Sequence, residues 1–166
     1  MVQQTDMERV NSILKLDTYR SYIEKNHLAE KERKFCRHDM AHFLDVARIA
    51  MILNESERYG ISKELIYAAA LLHDVGRWKQ YQDGTPHEIA GADLASEILQ
   101  QCRFDKEEEG IIVTAIRNHR NEDIREEKDL KGLLYRADKL SRACFFCQVE
   151  QECKWKQDRK NKELFL

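Results

Sequence analysis

The chain has 166 residues, the usual size of one domain, and 42% of them are apolar, enough to build a core without staples. Its 28 basic and 30 acidic side chains nearly cancel to a formal net charge of −2, so bulk electrostatics give no sign of a nucleic-acid partner. One proline and six glycines leave few breakers and few hairpin residues, which favours helices and disfavours a sheet-built domain.

The first ten residues, MVQQTDMERV, contain no apolar signal-like stretch. The longest apolar run, around Leu65 to Leu72, is interrupted by His73 and Asp74 before it could span a bilayer. These features predict a cytoplasmic protein without a membrane partner. Five cysteines in such a chain are expected to be reduced thiols or metal ligands, not a disulfide framework.

In chain order, residues 7–25 read as a helix entered through a capping box at Thr5 to Glu8, with Val10, Ile13, Leu14 and Tyr22 on its apolar face and a break near Asp17. The run Glu30 to Lys34 reads as a solvated connector. Phe43, Val46, Ile49, Ala50 and Leu53 then repeat at helical spacing up to Tyr59-Gly60. Ser62 is placed to cap a helix that is apolar nearly all round from Leu65 to Leu72, as expected of a buried central element. After Gly76 a polar stretch leads to Thr85-Pro86-His87-Glu88, a capping box with proline at the first helical position, predicting a helix from Pro86 to about Cys102. Asp105 and Glu108 repeat that pattern before Ile111, Ile112, Ala115 and Ile116. Residues 121–129 read as a charged loop and Leu130 to Glu152 as a last long helix. No sustained period-two alternation and no internal repeat is present, so the predicted fold is all-α, an irregular or orthogonal helical bundle forming a single domain over 1–166.

Against this map, His42, His73, Asp74, His87, His119 and Asp138 fall at helix ends or beside core-forming residues. The pair His73-Asp74 is the most informative. An apolar helix that ends in two adjacent polar groups must find partners for both or bear several kcal/mol of desolvation, and a metal ion satisfies both at once. The same two residues also fit a core histidine and a turn-capping aspartate, so the dipeptide alone decides nothing.

The stretch Leu71-Leu72-His73-Asp74-Val75-Gly76-Arg77 resembles the signature of the HD superfamily of metal-dependent phosphohydrolases. His42 to Val46 resembles the family's first histidine motif, and Arg136-Ala137-Asp138-Lys139 its final aspartate motif. His87 to Ala92 and Ala115 to His119 resemble the two extra histidine motifs of members that hold two metals. The resemblance covers about residues 36–142, with a helix before it and a cysteine-containing helix and tail, 143–166, after it. It implies His42, His73, Asp74 and Asp138 around one metal, with Asp74 bridging to a second held by His87 and His119. It also implies Asp74 as the residue that orients hydroxide, with a small phosphorylated molecule, a nucleotide first, as substrate.

Imidazole and carboxylate donors without thiolate suit one or two divalent ions, iron or manganese first, with zinc, nickel, cobalt or magnesium compatible. His38 lies four residues before His42 and is a rival or additional ligand; His27 reads as surface. Arg77 and Lys139 are the expected contacts to phosphoryl oxygens by adjacency, ahead of Lys79 and Arg120. Cys144, Cys147 and Cys153 form a C-x2-C-x5-C set that fits either packing with Phe145, Phe146 and Val149 or a metal lacking a fourth ligand. Two other functions use this scaffold: a two-iron oxygenase, and a non-catalytic module binding metal or nucleotide.

Overall fold

The computed structural model describes residues 6–166, so the capping role expected of Thr5 lies outside the described residues. Eight α-helices follow one another: α1 Glu8–Lys15, α2 Asp17–Ala29, α3 Met40–Glu57, α4 Lys63–Leu72, α5 Arg77–Asp83, α6 His87–Gln101, α7 Lys106–Asn118 and α8 Leu130–Leu140. Three short 3-10 turns follow α8, at Cys144–Phe146, Glu150–Glu152 and Gln157–Arg159, and a fourth, Glu122–Ile124, precedes it. The described residues contain no strand, and no helix among them is long and apolar enough to cross a membrane.

The centre of the bundle is α4. Ile66 and every residue from Ala68 to Leu72 are buried, because α1, α3, α6, α7 and α8 all pack against this helix. That surround is what an apolar-all-round sequence demands. Burying each leucine contributes roughly 1.5–3 kcal/mol, so the end of α4, where His73 and Asp74 emerge, is anchored in the best-packed part of the molecule.

Several local expectations are corrected. Leu16, in extended backbone, separates α1 from α2, and α2 continues to Ala29, past Lys25. Ser62 precedes α4 without making a side-chain cap. Thr85 does not cap α6 either. Its hydroxyl and amide both bond to Asp83 Oδ1, at 2.6 and 3.0 Å, and Pro86 takes the cap position itself. The polar stretch after Gly76 forms α5. The capping box of Asp105 and Glu108 is present in both directions.

The predicted last helix stops at Leu140, not Glu152. The reason is non-local. Asn161 folds back and donates its side-chain amide to the carbonyls of Lys139, Leu140 and Arg142, at 2.9, 3.3 and 2.8 Å. These are end-of-helix groups that a continuing α8 would have consumed. Phe145 and Phe146 are consequently exposed, so the cysteines beside them do not pack with them on a helical face.

A glycine is required at position 76. A Cβ there would lie 2.4 Å from the amide nitrogen of Gly91 and 2.7 Å from the carbonyl carbon of Ala90. This close approach carries the start of α6, and with it His87, up to the His73-Asp74 turn.

Candidate metal centre

Five helix ends converge on one point. His42 stands in the first turn of α3, where its backbone amide is capped by Asp39 Oδ1 at 3.0 Å. His73 closes α4 and Asp74 follows in the turn; His87 opens α6, His119 closes α7, and Asp138 lies in the last turn of α8. All six residues with the expected ligand types are brought together, as two groups whose donor atoms lie within 4.8 Å of one another: His42, His73 and Asp138; and Asp74, His87 and His119. Asp74 faces both. Its Oδ2 lies 3.2 Å from His73 Nε2 and 3.7 Å from His42 Nε2, while its Oδ1 lies 3.2 Å from His87 Nε2 and 3.6 Å from His119 Nε2.

The hydrogen bonds behind the rings decide which nitrogen faces the centre. His73 Nδ1 contacts the Ala70 carbonyl at 2.7 Å, and His119 Nδ1 contacts the Ile116 carbonyl at 2.6 Å. A carbonyl only accepts, so Nδ1 carries the proton and Nε2 presents a lone pair. His87 Nδ1 is held by Gln80 Oε1 at 2.5 Å. Ser141 donates its hydroxyl hydrogen to the Asp138 carbonyl at 2.7 Å, so its oxygen accepts, at 3.4 Å, from His42 Nδ1.

Imidazole Nε2 atoms and two carboxylates therefore converge, an arrangement that calls for positive charge. In one group protons answer that demand. Burial opposes charging His73, but Asp74 and Asp138 outweigh it and raise it to about 10. In the other group they do not. Burial, reinforced by Arg77, His119 and Arg120 against the pull of Asp74, lowers His87 to about 3 and keeps it a neutral donor. Burial pushes the Asp74 carboxyl up, yet the surrounding histidines hold it well below the usual carboxylate range. Asp138 is likewise held low against burial, by Lys139, His42 and His73. Asp74 Oδ1 is buried without any hydrogen-bond partner. An ionised, orphaned oxygen beside two Nε2 atoms is what a divalent cation would satisfy, so the residues fit the expected metal.

His38 is not on the helix of His42; it precedes the Asp39 cap. Its Nε2 lies 3.9 Å from Asp74 Oδ2, outside both groups. It is held from behind by Glu30, which the sequence placed in a solvated connector but which is 4% exposed. Glu30 accepts from the His38 amide at 2.9 Å, contacts His38 Nδ1 at 2.6 Å and accepts from the Tyr81 hydroxyl at 2.9 Å. A second residue outside the sequence-derived site is Asn26, also buried. It donates to the Asp74 carbonyl at 2.9 Å and accepts from the Trp78 amide at 2.8 Å, fixing the turn that carries Asp74. Tyr19 adds a bond to the Leu71 carbonyl at 3.1 Å. No local signal marks Asn26 or Glu30, since each lies in a polar run.

Five of the six residues, all but the fully buried His73, line a cavity of about 700 Å³. Arg77 and Lys139 both reach it. Arg77 Nη1 lies 3.1 and 3.0 Å from the two ring nitrogens of His87, against the ring and not along one lone pair, while Lys139 pairs with Asp138. Arg120 lines the cavity and pairs with Glu88 at 3.4 Å; Lys79 does not line it and lies over the Trp78 ring. Further cations lining it are Arg33, Lys34, Arg37, Arg142 and the buried Lys160, against Asp39, Asp45 and Glu150 as the acids outside the centre. A chain with almost no net charge thus concentrates positive charge at one cleft. His27, exposed on α2, takes no part.

A helical bundle whose helix ends gather histidine and aspartate into two candidate metal-binding groups defines a class of all-α proteins with a buried polar centre. Within that class the chain belongs to the HD domain family, whose sequence model matches residues 40–143. It is 45% identical over 159 residues to an uncharacterized protein of Clostridium beijerinckii, covering 96% of this chain and 99% of that one. It is 30% identical over 114 residues to a bifunctional uridylyltransferase/uridylyl-removing enzyme of Gluconobacter oxydans, covering 69% of this chain but only 11% of that enzyme. Among solved structures, a predicted HD superfamily hydrolase from an uncultured Thermotogales bacterium superposes with a TM-score of 0.60 at 25% identity, covering 91% of this chain and 86% of that one.

Proposed function

We propose that the chain is a divalent-metal-dependent phosphohydrolase that cleaves a phosphoester or phosphoanhydride of a nucleotide or another small phosphorylated metabolite. The observation that carries this reading is the placement of the buried, orphaned Asp74 carboxylate and its histidines on the floor of a cleft rimmed by cations. His42, His73 and Asp138 would hold one ion and His87 and His119 a second, with Asp74 shared; iron or manganese suits this donor set first. Such ions supply Lewis acidity and lower the pKa of water toward neutrality.

The chain's own groups account for the rest. Arg77 and Lys139, next to the ligands, bind the non-bridging phosphoryl oxygens and offset charge as it builds, with Arg120 and Arg142 farther out. Asp74, held ionised, orients the attacking water. A cavity of about 700 Å³ falls within the usual range for small-molecule sites. The similarity to an enzyme named for uridylyl removal supports a nucleotide-linked phosphate. Five cysteines without a disulfide suit the reducing cytoplasm, where we place the activity.

The test is elemental analysis of protein purified without added metal, followed by a panel of phosphoesters and phosphoanhydrides. Asp74→Ala and His73→Ala are expected to lose the metal held by the histidine and aspartate centre, and hydrolysis with it, whereas Arg77→Ala and Lys139→Ala keep that metal and raise KM. Unchanged metal content in the first two variants overturns the ligand assignment. A metal-loaded protein inert toward the whole panel overturns the activity, and dioxygen consumption with a mixed-valent iron signal replaces it with an oxygenase.

A further inference from the structure

The segment after α8 roofs the cavity, yet none of its apolar residues is buried; the only buried residue from 141 to 166 is Lys160. Phe146 is 86% exposed, and Phe145 and Trp155 are about half exposed. The roof is held instead by polar links. Asn161 bonds to the end of α8, Lys160 Nζ bonds to the carbonyl and carboxylate of Glu150 at 2.9 and 2.8 Å, and the Arg142 guanidinium lies 4.0 Å over the Trp155 ring. A stretch this long without a core normally requires a covalent or metal staple.

Four of the five cysteines lie here. Cys144, Cys147 and Cys153 belong to the roof. Cys36, distant in sequence, comes from the connector between α2 and α3, and all four line the cavity. The remaining cysteine, Cys102, is buried in the core and takes no part. Cys147 and Cys153 each stand in extended backbone just after a 3-10 turn. Their amides bond back three residues, Cys147 to the Cys144 carbonyl at 3.2 Å and Cys153 to the Glu150 carbonyl at 3.1 Å. The C-x2-C spacing on a tight turn, completed by two thiols from elsewhere, is a ligand pattern of structural zinc.

We propose that Cys36, Cys144, Cys147 and Cys153 form a second metal site, a tetrathiolate that takes one zinc ion and pins the roof to the α2–α3 connector. The site is separate from the histidine and aspartate centre in residues and in donor chemistry. Binding displaces the thiol protons and leaves two net negative charges on the site, which Arg37 and Arg142, on the same cavity, offset. Cys36 is exposed as a residue, yet partial burial pushes its thiol up, Arg142 draws it down, and Cys144 and Cys147 push it up again, so the three thiols are within electrostatic reach. The sulfurs do not meet as closely as the histidine and aspartate donors do. Closing them on one ion draws in the two short 3-10 turns, which no buried apolar residue holds in place.

The experiment uses the full chain in the Asp74→Ala background, which removes a ligand of the other centre, loaded with zinc or with cobalt(II). One equivalent of zinc is expected to remain. The cobalt form is expected to show the intense near-ultraviolet sulfur-to-cobalt charge-transfer band of tetrahedral thiolate, which nitrogen and oxygen donors do not give. Cys36→Ser and Cys147→Ser should each weaken the band by at least about a quarter, as one of four thiolates is lost; its absence at the outset, or undiminished intensity in Cys36→Ser, overturns the proposal. Should those variants not fold, the zinc-loaded Asp74→Ala chain is itself titrated with an organomercurial while a chromogenic chelator reports zinc. Release as the four thiols react supports the site, and zinc retained after they have reacted overturns it. Iron bound to the same thiols overturns the assignment to zinc.

Discussion

Replacing Asn26 tests whether α2 holds the Asp74 turn in place. The side chain is 1% exposed and serves two backbone groups, the Asp74 carbonyl at 2.9 Å and the Trp78 amide at 2.8 Å. Asn26→Ala strands both in a buried region, and each unpaired group costs about 1–3 kcal/mol. The expected loss is about 2–5 kcal/mol after partial relaxation. With a urea slope of about 2 kcal/mol/M, the unfolding midpoint should fall by about 1–2.5 M at unchanged slope. Asn26→Asp sharpens the test, because it keeps an oxygen for the Trp78 amide but turns a charged oxygen toward the Asp74 carbonyl, and it should be at least as damaging. Metal affinity should fall in parallel, since the loosened turn carries Asp74. An Asn26→Ala stability within about 0.5 kcal/mol of the parent, the range of ordinary surface changes, would refute the reasoning.

Two further outcomes follow from the packing. Burial pushes the Glu30 carboxyl up, but His38, with help from Tyr81, draws it down from 4.5 to about 2. Its folded value is depressed, so its contribution is complete above about pH 4.5 and is lost as the pH falls toward 2. At 1.36 kcal/mol per unit, discounted for partial solvent screening, this is on the order of 1–3 kcal/mol. Acid titrations of stability should show that loss in the parent and not in Glu30→Gln. Gly76→Ala sets a methyl 2.4 Å from the Gly91 amide nitrogen and should cost about 1–3 kcal/mol or prevent folding. Gly110→Ala, inside α7 with nothing within 4 Å of the new methyl, should instead stabilise by about 0.5–1 kcal/mol. Thermal melts that rank the two glycine variants the other way contradict this account.

The helices were legible where an apolar stripe or a local cap carried the signal. The all-round apolar run of α4 predicted a central element, and the reciprocal bonds of Asp105 and Glu108 mark the start of α7. The sequence was silent where structure depends on a distant partner. Asn161 ends α8 from about twenty residues away, and nothing between Leu130 and Glu152 announces it. Asn26 and Glu30 were invisible for a related reason. An amide or carboxylate in a polar run is assigned to solvent unless something identifies the buried group it will meet, here a turn about fifty residues later and a histidine beyond the connector. The six histidines and aspartates were legible only as an ordered set; their convergence is a property of the five helix ends.

Those helix ends also explain how so much polarity is tolerated in a buried place. The last-turn carbonyls of a helix lack intrahelical partners, and in α4 and α7 the closing histidine supplies one through its own Nδ1. The same bond that helps satisfy the helix terminus fixes the tautomer and turns the Nε2 lone pair inward. In α3 the problem is the reverse, an unpaired first-turn amide, and Asp39 meets it, so the ring of His42 is free to face Asp138 at 3.4 Å. Each side chain is thus oriented by a backbone need that exists in any helix. Among the described residues, the one buried side-chain oxygen left without a hydrogen-bond partner is Asp74 Oδ1, between the Nε2 atoms of His87 and His119. Burial keeps His87 from supplying a proton to it. The fold therefore leaves a buried, ionised oxygen at the point where a cation and an anionic substrate would meet.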